Sequence, residues 1–181
     1  VAIVDRRILK SQEAIKHAFI NLMSEKNFDE ITMQDISDSA NVGRRTIYHH
    51  YLDKYDLLDK LIEEHIHELR KLCELASDMD FIKSNLLWFE YFESHYSFFS
   101  AMLSSKGAPF FRSRFLNFVI EELEKEVNIT EGNNTGLSKE VILKFFGTAL
   151  VGIVESYFKK EILDSPQSIA EQVGILLDRN L

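Results

Sequence analysis

One cysteine, two prolines and seven glycines in 181 residues leave little room for a disulfide scaffold, a turn-rich β fold or a low-complexity linker. Cys73 stands without a second thiol, so it can neither close an internal disulfide nor share a paired-cysteine zinc site, and a reducing compartment suits it. It is expected to be a small helix-packing residue. No run approaches the roughly 18 uninterrupted apolar residues of a membrane span, and the apolar opening, Val1 to Val4, is too short for a signal-peptide core. A soluble, cytoplasmic protein with no membrane partner is the expectation. Excess positive charge is missing too, since the formal charge is -8. Its distribution is uneven: residues 1–54 hold eight basic and eight acidic groups, against 13 and 21 in residues 55–181. A neutral head on an acidic body could be steered head-first toward a polyanion.

What is present is helical periodicity. From about Asp5 to Lys26, Ile8, Ile15, Ala18, Phe19, Leu22 and Met23 recur at spacings of three, four and seven, as one buried helical face requires. Thr32 then precedes Met33-Gln34-Asp35, placing a hydroxyl and a carboxylate in capping-box register at the start of a second helix that ends near Ala40. Asn41-Val42-Gly43 supplies a turn with two residues tolerant of left-handed backbone. A third short helix follows, from Arg44 to about His50. Asp53, with Asp56 three residues on, opens a fourth that runs to about Ala76 on an apolar side made by Leu57, Leu58, Leu61, Ile62, Ile66, Leu69 and Leu72. Further helices are expected at about 79–94, 96–104, 109–127, 138–160 and 166–179, with the main loop at 128–137.

The segment from Ile31 to Leu58 reads Ile-Thr-Met-Gln-Asp-Ile-Ser-Asp-Ser-Ala-Asn-Val-Gly-Arg-Arg-Thr-Ile-Tyr-His-His-Tyr-Leu-Asp-Lys-Tyr-Asp-Leu-Leu. It resembles the signature of the tetracycline-repressor (TetR) family, and the run Tyr48-His49-His50-Tyr51-x-x-Lys54 matches that family's aromatic-and-lysine clamp. Gly43 and Ile47 depart from it, where the family usually has a small hydroxyl residue and Phe. The resemblance implies an all-α protein of about nine helices: an N-terminal three-helix helix-turn-helix DNA-binding domain over residues 1–54 and a C-terminal helical ligand-binding and dimerisation domain over 55–181. Such a pair of short helices can lay the second in the major groove, about 12 Å wide.

Ile36, Ala40, Val42 and Ile47 would lock the two helices together, leaving Arg44, Arg45, Thr46, Tyr48 and His49 outward. Arg44 or Arg45 suits base reading, because a guanidinium fork matches guanine O6 and N7. Thr46, Tyr48, His49 and Tyr51 suit phosphate oxygens, Lys54 suits a phosphate at the start of the fourth helix, and Thr32 joins the DNA-facing set. The competing reading is an ordinary helical hairpin with a solvated basic tip.

Twelve of the 21 aromatic residues fall between Phe81 and Phe118, a density that could line a pocket or simply fill a core. Trp88, Tyr91, Phe92, Phe99, Phe115 and Phe146 are the expected ligand-lining residues, for a small apolar or aromatic molecule. The stretch His95 to Gly107 also resembles a subgroup of regulators that includes activators of dihydroxyacetone-kinase operons. Val141 to Phe158 is apolar around most of its circumference, and Gly147 and Gly152 permit close approach of another backbone. With the final amphipathic helix (Ile169, Val173, Leu176, Leu177) it suggests a four-helix dimer interface, for which Phe145, Ala149, Gly152, Ile153, Tyr157, Val173 and Leu177 are the candidates.

Glu64-His65-Ile66-His67 contains a Glu-x-x-His step, but no second copy exists to complete a metal site, so a solvated helix face is expected. Neither a phosphate loop nor a nucleophile in a recognisable setting is present, and no catalytic residue, metal or cofactor is expected. The sequons at Asn128 and Asn133 are chance occurrences in a cytoplasmic chain. The function read from these residues is a ligand-responsive transcriptional regulator, a repressor by expectation, binding palindromic operator DNA as a homodimer. The alternative is a DNA-bound adaptor whose body recruits a protein partner in place of a small molecule.

Overall fold

The structure, a computed structural model, describes residues 6–103, 109–126 and 134–181. The opening segment to Asp5, the end of the His95–Gly107 stretch, the sequon at Asn128, Asn133 and most of the 128–137 loop lie outside the described residues. Among the described residues there are nine α-helices and no strand: α1 (Arg6–Glu25), α2 (Met33–Ala40), α3 (Arg44–His50), α4 (Lys54–Leu75), α5 (Phe81–Ser94), α6 (Tyr96–Leu103), α7 (Pro109–Glu126), α8 (Lys139–Phe158) and α9 (Pro166–Asn180). A short 3-10 turn, Phe28–Glu30, separates α1 from α2.

Local chemistry sets the boundaries. At the start of α2 the Thr32 hydroxyl accepts from the Asp35 amide at 3.1 Å, while the Asp35 carboxylate accepts from the Thr32 amide at 2.7 Å, a closed capping box. The Thr32 bonds, first from the hydroxyl and then from the backbone, hold the Asp35 carboxyl down at about 2. Asn41 ends α2 in the left-handed region at φ 50°, whereas Gly43 sits at φ -60° and does not use its freedom. Asp53 caps α4 by accepting from Tyr55 and Asp56 amides, Asp80 caps α5, and Ser165 with Pro166 opens α9.

Helices α1, α2 and α3 form a head in which each packs on the other two; α6 lies against α1, and α4 packs on α5 and α7. A continuous apolar core runs from Ile15 and Phe19 in α1, through Leu57 to Leu69 along α4, into the aromatic cluster of α5 to α7 and on to Val173 and Leu177 in α9. Ile8 departs from its expected place, because the first turns of α1 are exposed and lie outside this core. Ion pairs tie α4 to its neighbours: Lys16 with Glu64, Arg70 with Glu121 and Glu122, and Arg114 with Asp59 and Glu63. In each pair at least one partner is open to solvent, except where Arg70 meets the mostly buried Glu122, so most set geometry more than they add stability.

Helix α9 packs along α5 so closely that a Cβ on Gly174 would stand 2.5 Å from the Ile82 Cα. That obstacle is backbone, which cannot swing aside as a side chain can. Gly174→Ala is therefore expected to destabilise by about 2 kcal/mol or more, as overpacking of a filled core does, read as a lowered urea midpoint. An unchanged midpoint would contradict the α5–α9 contact.

Candidate nucleic-acid interface

The head's outward surface is built from α3. Ile47 points inward with no exposure, in the same core as the fully buried Ile36, and Ala40 and Val42 pack against it. Because one face of this seven-residue helix is sunk, the opposite face is open: Arg44, Arg45, Thr46, Tyr48 and His49 are all exposed, Tyr48 by 52%. Thr32, at the start of α2, is exposed as well. The arrangement presents two guanidiniums, a hydroxyl, a phenol and an imidazole on one short convex element, groups that can donate to phosphate oxygens and base edges.

Two expected members of that surface are elsewhere. Tyr51 is only 4% exposed, since the chain leaves α3 in extended backbone and turns this ring into the core beneath the Lys60 ammonium, 5.3 Å away. Burial pushes its phenol up. Lys54 folds back over the Phe28 ring and donates to the carbonyls of Phe28 and Asp29, each at 2.9 Å. Its ammonium thus closes the carbonyl end of the 3-10 turn and binds the head to the first turn of α4, so it is not a free phosphate anchor. Lys60, which was not among the residues expected here, does the same for α3 by donating to the His50 carbonyl at 3.0 Å. Its position four residues after Asp56, with which it pairs, was the available signal.

The Glu64-to-His67 step also resolves differently. Glu64 is taken by Lys16 and His67 is exposed, but His65 is buried, stacked on Phe98 at 3.8 Å between ring centroids and hydrogen-bonded through Nδ1 to the Tyr91 hydroxyl at 2.7 Å. Among the described residues no group of three His, Cys, Asp or Glu side chains could hold a metal.

The body contains a cavity of about 440 Å³ between α4, α5, α7, α8 and α9. Of the six candidate ligand-lining residues, Trp88, Phe92 and Phe115 stand in its wall. Tyr91, Phe99 and Phe146 do not: Tyr91 is engaged with His65, Phe99 is fully buried among Phe92, Phe98 and Phe111, and Phe146 packs at the core margin beside Phe145. Phe81 and Phe89, from the same aromatic run but not among the six candidates, complete much of the wall with Val119 and Leu123. Cys73 reaches the cavity as a thiol pushed up to about 11, first by burial and then by Glu122.

Of the expected dimer residues, Phe145 is 67% exposed and Ala149 is open, in line with exposed Val141. Gly152 meets nothing within 4 Å of a built Cβ. Val173 and Leu177 are a correction, for they are 4% exposed and line the cavity where α9 packs on α5, as does half-buried Ile153. Tyr157 is turned to its own subunit, where its hydroxyl donates to Glu93 and its ring meets Phe89 and Phe158. Gly147 likewise accommodates Ile120 of α7, 2.9 Å from a built Cβ, within the same chain. The open apolar positions of α9 are instead Ile175 and Leu176. Helix α8 is long and apolar enough to cross a membrane by length and composition, a property no uninterrupted run reveals; a third of its most apolar stretch is buried, and Glu155 pairs with Arg112 of α7 at 2.7 Å.

Comparison with known proteins bears on this geometry. Residues 15–61 match the family model described as bacterial regulatory proteins, tetR family, and residues 79–179, more than half of the chain, match the model of a transcriptional regulator C-terminal region of TetR type. Over 75 residues, 41% of this chain and 20% of the relative, it is 35% identical to YxbF, an uncharacterised HTH-type transcriptional regulator of Bacillus subtilis. Over 44 residues, 24% of each, it is 41% identical to IcaR, the HTH-type negative transcriptional regulator of the biofilm operon icaADBC in Staphylococcus epidermidis. These matches span only a fifth to a quarter of the relatives' length. Among solved structures, a TetR transcriptional regulator of Streptococcus agalactiae is 25% identical with a TM-score of 0.73, covering 96% of both chains. The dihydroxyacetone kinase operon activator DhaS shares the fold at 21% identity and a TM-score of 0.62, covering 92% of this chain and 93% of its own.

Burial, with the neighbouring His95 adding to it, pulls the His65 imidazole down to about 3 from an ordinary 6.5. In that window the unfolded chain takes up a proton that the folded chain refuses, so stability present above about 6.5 is lost as pH falls toward 3. A His65→Phe variant is expected to show a shallower fall of the urea midpoint across the same window. Parallel profiles for the two proteins would contradict the buried neutral imidazole.

Proposed function

The chain belongs to the tetR family of bacterial regulatory proteins, and from that premise we propose that it is a homodimeric, ligand-responsive repressor that grips palindromic operator DNA through paired copies of α3. That it is a DNA-binding transcriptional regulator follows from the family itself. Residues 1–54 serve as the DNA-binding head and 55–181 as the ligand-binding and dimerisation body, acting in the cytoplasm. The observation that carries the reading is the exposed Arg44, Arg45, Thr46, Tyr48 and His49 face, backed by fully buried Ile47. Arg44 or Arg45 reads guanine edges; Thr46, Tyr48, His49 and Thr32 hold phosphates; Lys54 acts one step back, by fixing the head on α4.

Homodimerisation is supported by the apolar stripe of Val141, Phe145 and Ala149 on α8, extended by Gly152 and by Ile175 and Leu176 on α9. Large apolar side chains left that open call for a covering surface, and a two-fold partner presents the same surface in return. A ligand is supported by the cavity, whose volume falls in the usual range of small-molecule pockets, roughly 300–1,000 Å³. A sealed aromatic core would have favoured a protein-recruiting adaptor; the cavity favours the small molecule. Repression as the sign rests on the match, over 44 residues, to a negative regulator.

Coupling would run through α4. Its first turn holds the head through Lys54, and Arg70 and Arg114 pair it with α7, which supplies Phe115 and Val119 to the cavity wall. A ligand fitting one setting of α4 and α7 better than another biases the separation of the two heads, and a few kcal/mol of differential affinity changes operator occupancy by orders of magnitude.

Arg44→Ala is expected to weaken operator binding by about 1–3 kcal/mol and relax sequence preference at one base pair per half-site, measured by competition against single-base operator variants. Equal loss on operator and random duplex would remove Arg44 from base reading. Phe145→Glu is expected to yield monomers in sedimentation and abolish operator binding; a stable dimer would dispose of the α8 interface.

A further inference from the structure

The cavity is graded from an apolar floor to a negatively charged mouth. Phe92 and Phe115 at its base have no exposure, and Val119, Val154 and Val173 around them are nearly as buried. Five carboxylates line the remainder, those of Glu74, Asp80, Glu122, Glu126 and Asp178, against the single ammonium of Lys125. Two are neutralised locally: Asp80 by Lys83 at 2.8 Å, and Glu122, whose side chain is 11% exposed, by Arg70 at 2.8 Å and Lys125 at 2.6 Å. Glu74, Glu126 and Asp178 are exposed and have no ion pair among the described residues.

The backbone adds to the same sign. Helix α4 ends at Leu75 beside Glu74, so one helix C-terminus lies at the mouth. That end carries a partial negative charge of roughly half an electron on its last carbonyls. An acid-headed ligand entering this cavity would lose its hydration against carboxylates and carbonyl ends. A cation would gain from both, and the aromatic residues Phe81, Trp88 and Phe89 also line the wall.

We propose that the cavity takes an amphiphilic cation, with its apolar part on the Phe92–Phe115 floor and an ammonium or amidinium group at the Glu74, Glu126 and Asp178 mouth. This rests on reading the cavity as a ligand site and gives that site its charge class. Lipid-like acids, whose size the floor would also accommodate, are disfavoured by the mouth.

Trp88 is the protein's one tryptophan and stands in the cavity wall, so its fluorescence reports occupancy directly. The intact protein is titrated with decyltrimethylammonium, decanol and decanoate below their micellar concentrations, three probes sharing a tail and differing in charge. The cation is expected to bind about tenfold or more tightly than the carboxylate, with the alcohol between and competing for the same site. The preference should shrink at high salt and in an E126Q/D178N variant that leaves the floor intact. Equal affinities, or decanoate binding tightest, would overturn the charge class while leaving a ligand cavity. Absence of any saturable Trp88 response to all three would overturn this inference and the ligand reading together.

Discussion

A seven-residue helix has no stability of its own in water, because the cost of nucleating it is not recovered over so few turns. Helix α3 exists because Ile47 is fully buried in the core that also holds Ile36, with Val42 and Ala40 at its edge. Everything the head offers outward depends on that one inward side chain: its burial fixes the azimuth of the helix, and the azimuth decides that Arg44, Arg45, Thr46, Tyr48 and His49 share the open side. The neighbouring elements reinforce the same orientation. Lys60 takes the last carbonyl of α3 and Lys54 takes two carbonyls of the 3-10 turn, so the head is hydrogen-bonded to α4 at two separate places.

The head joins the body without a break, since the apolar core is continuous from Ile15 to Leu177. A long helix shared by head and body cannot adjust at one end without some response at the other, given close-packed interiors and a pair of arginine clamps to α7. The cavity breaks this packing at the place where α4, α5, α7, α8 and α9 meet, which is where a bound molecule would act on several elements at once. The α5–α9 contact at Gly174 is tight by contrast and marks one wall of the cavity as rigid.

How much of this was legible in the sequence follows from how local each feature is. The capping box of Thr32 and Asp35, the left-handed Asn41, the Asp53 cap and the α2–α3 core were readable because each depends on residues within a few positions of one another. Tyr51 and Lys54 were misplaced because their direction depends on the extended backbone at Tyr51 and on a carbonyl pair 25 and 26 residues away. His65 looked like part of a polar run, yet it falls on the buried stripe of α4 between Leu61 and Leu69, a position its four-residue spacing could have disclosed. The assignment of Val173 and Leu177 to a dimer surface failed for a different reason: an amphipathic helix shows that one face is covered, and α5 of the same chain covers it. Periodicity identifies a face to be buried but not the partner that buries it.

Whether two α3 faces meet one duplex is most directly tested by hydroxyl-radical footprinting of the protein on a site selected from random duplex DNA. The account requires two protected patches on one side of the helix, their centres about one turn of roughly 10 base pairs or slightly more apart, matching two half-sites of opposite orientation. A single protected patch, or protection spread evenly along both strands without a repeated half-site, would contradict it.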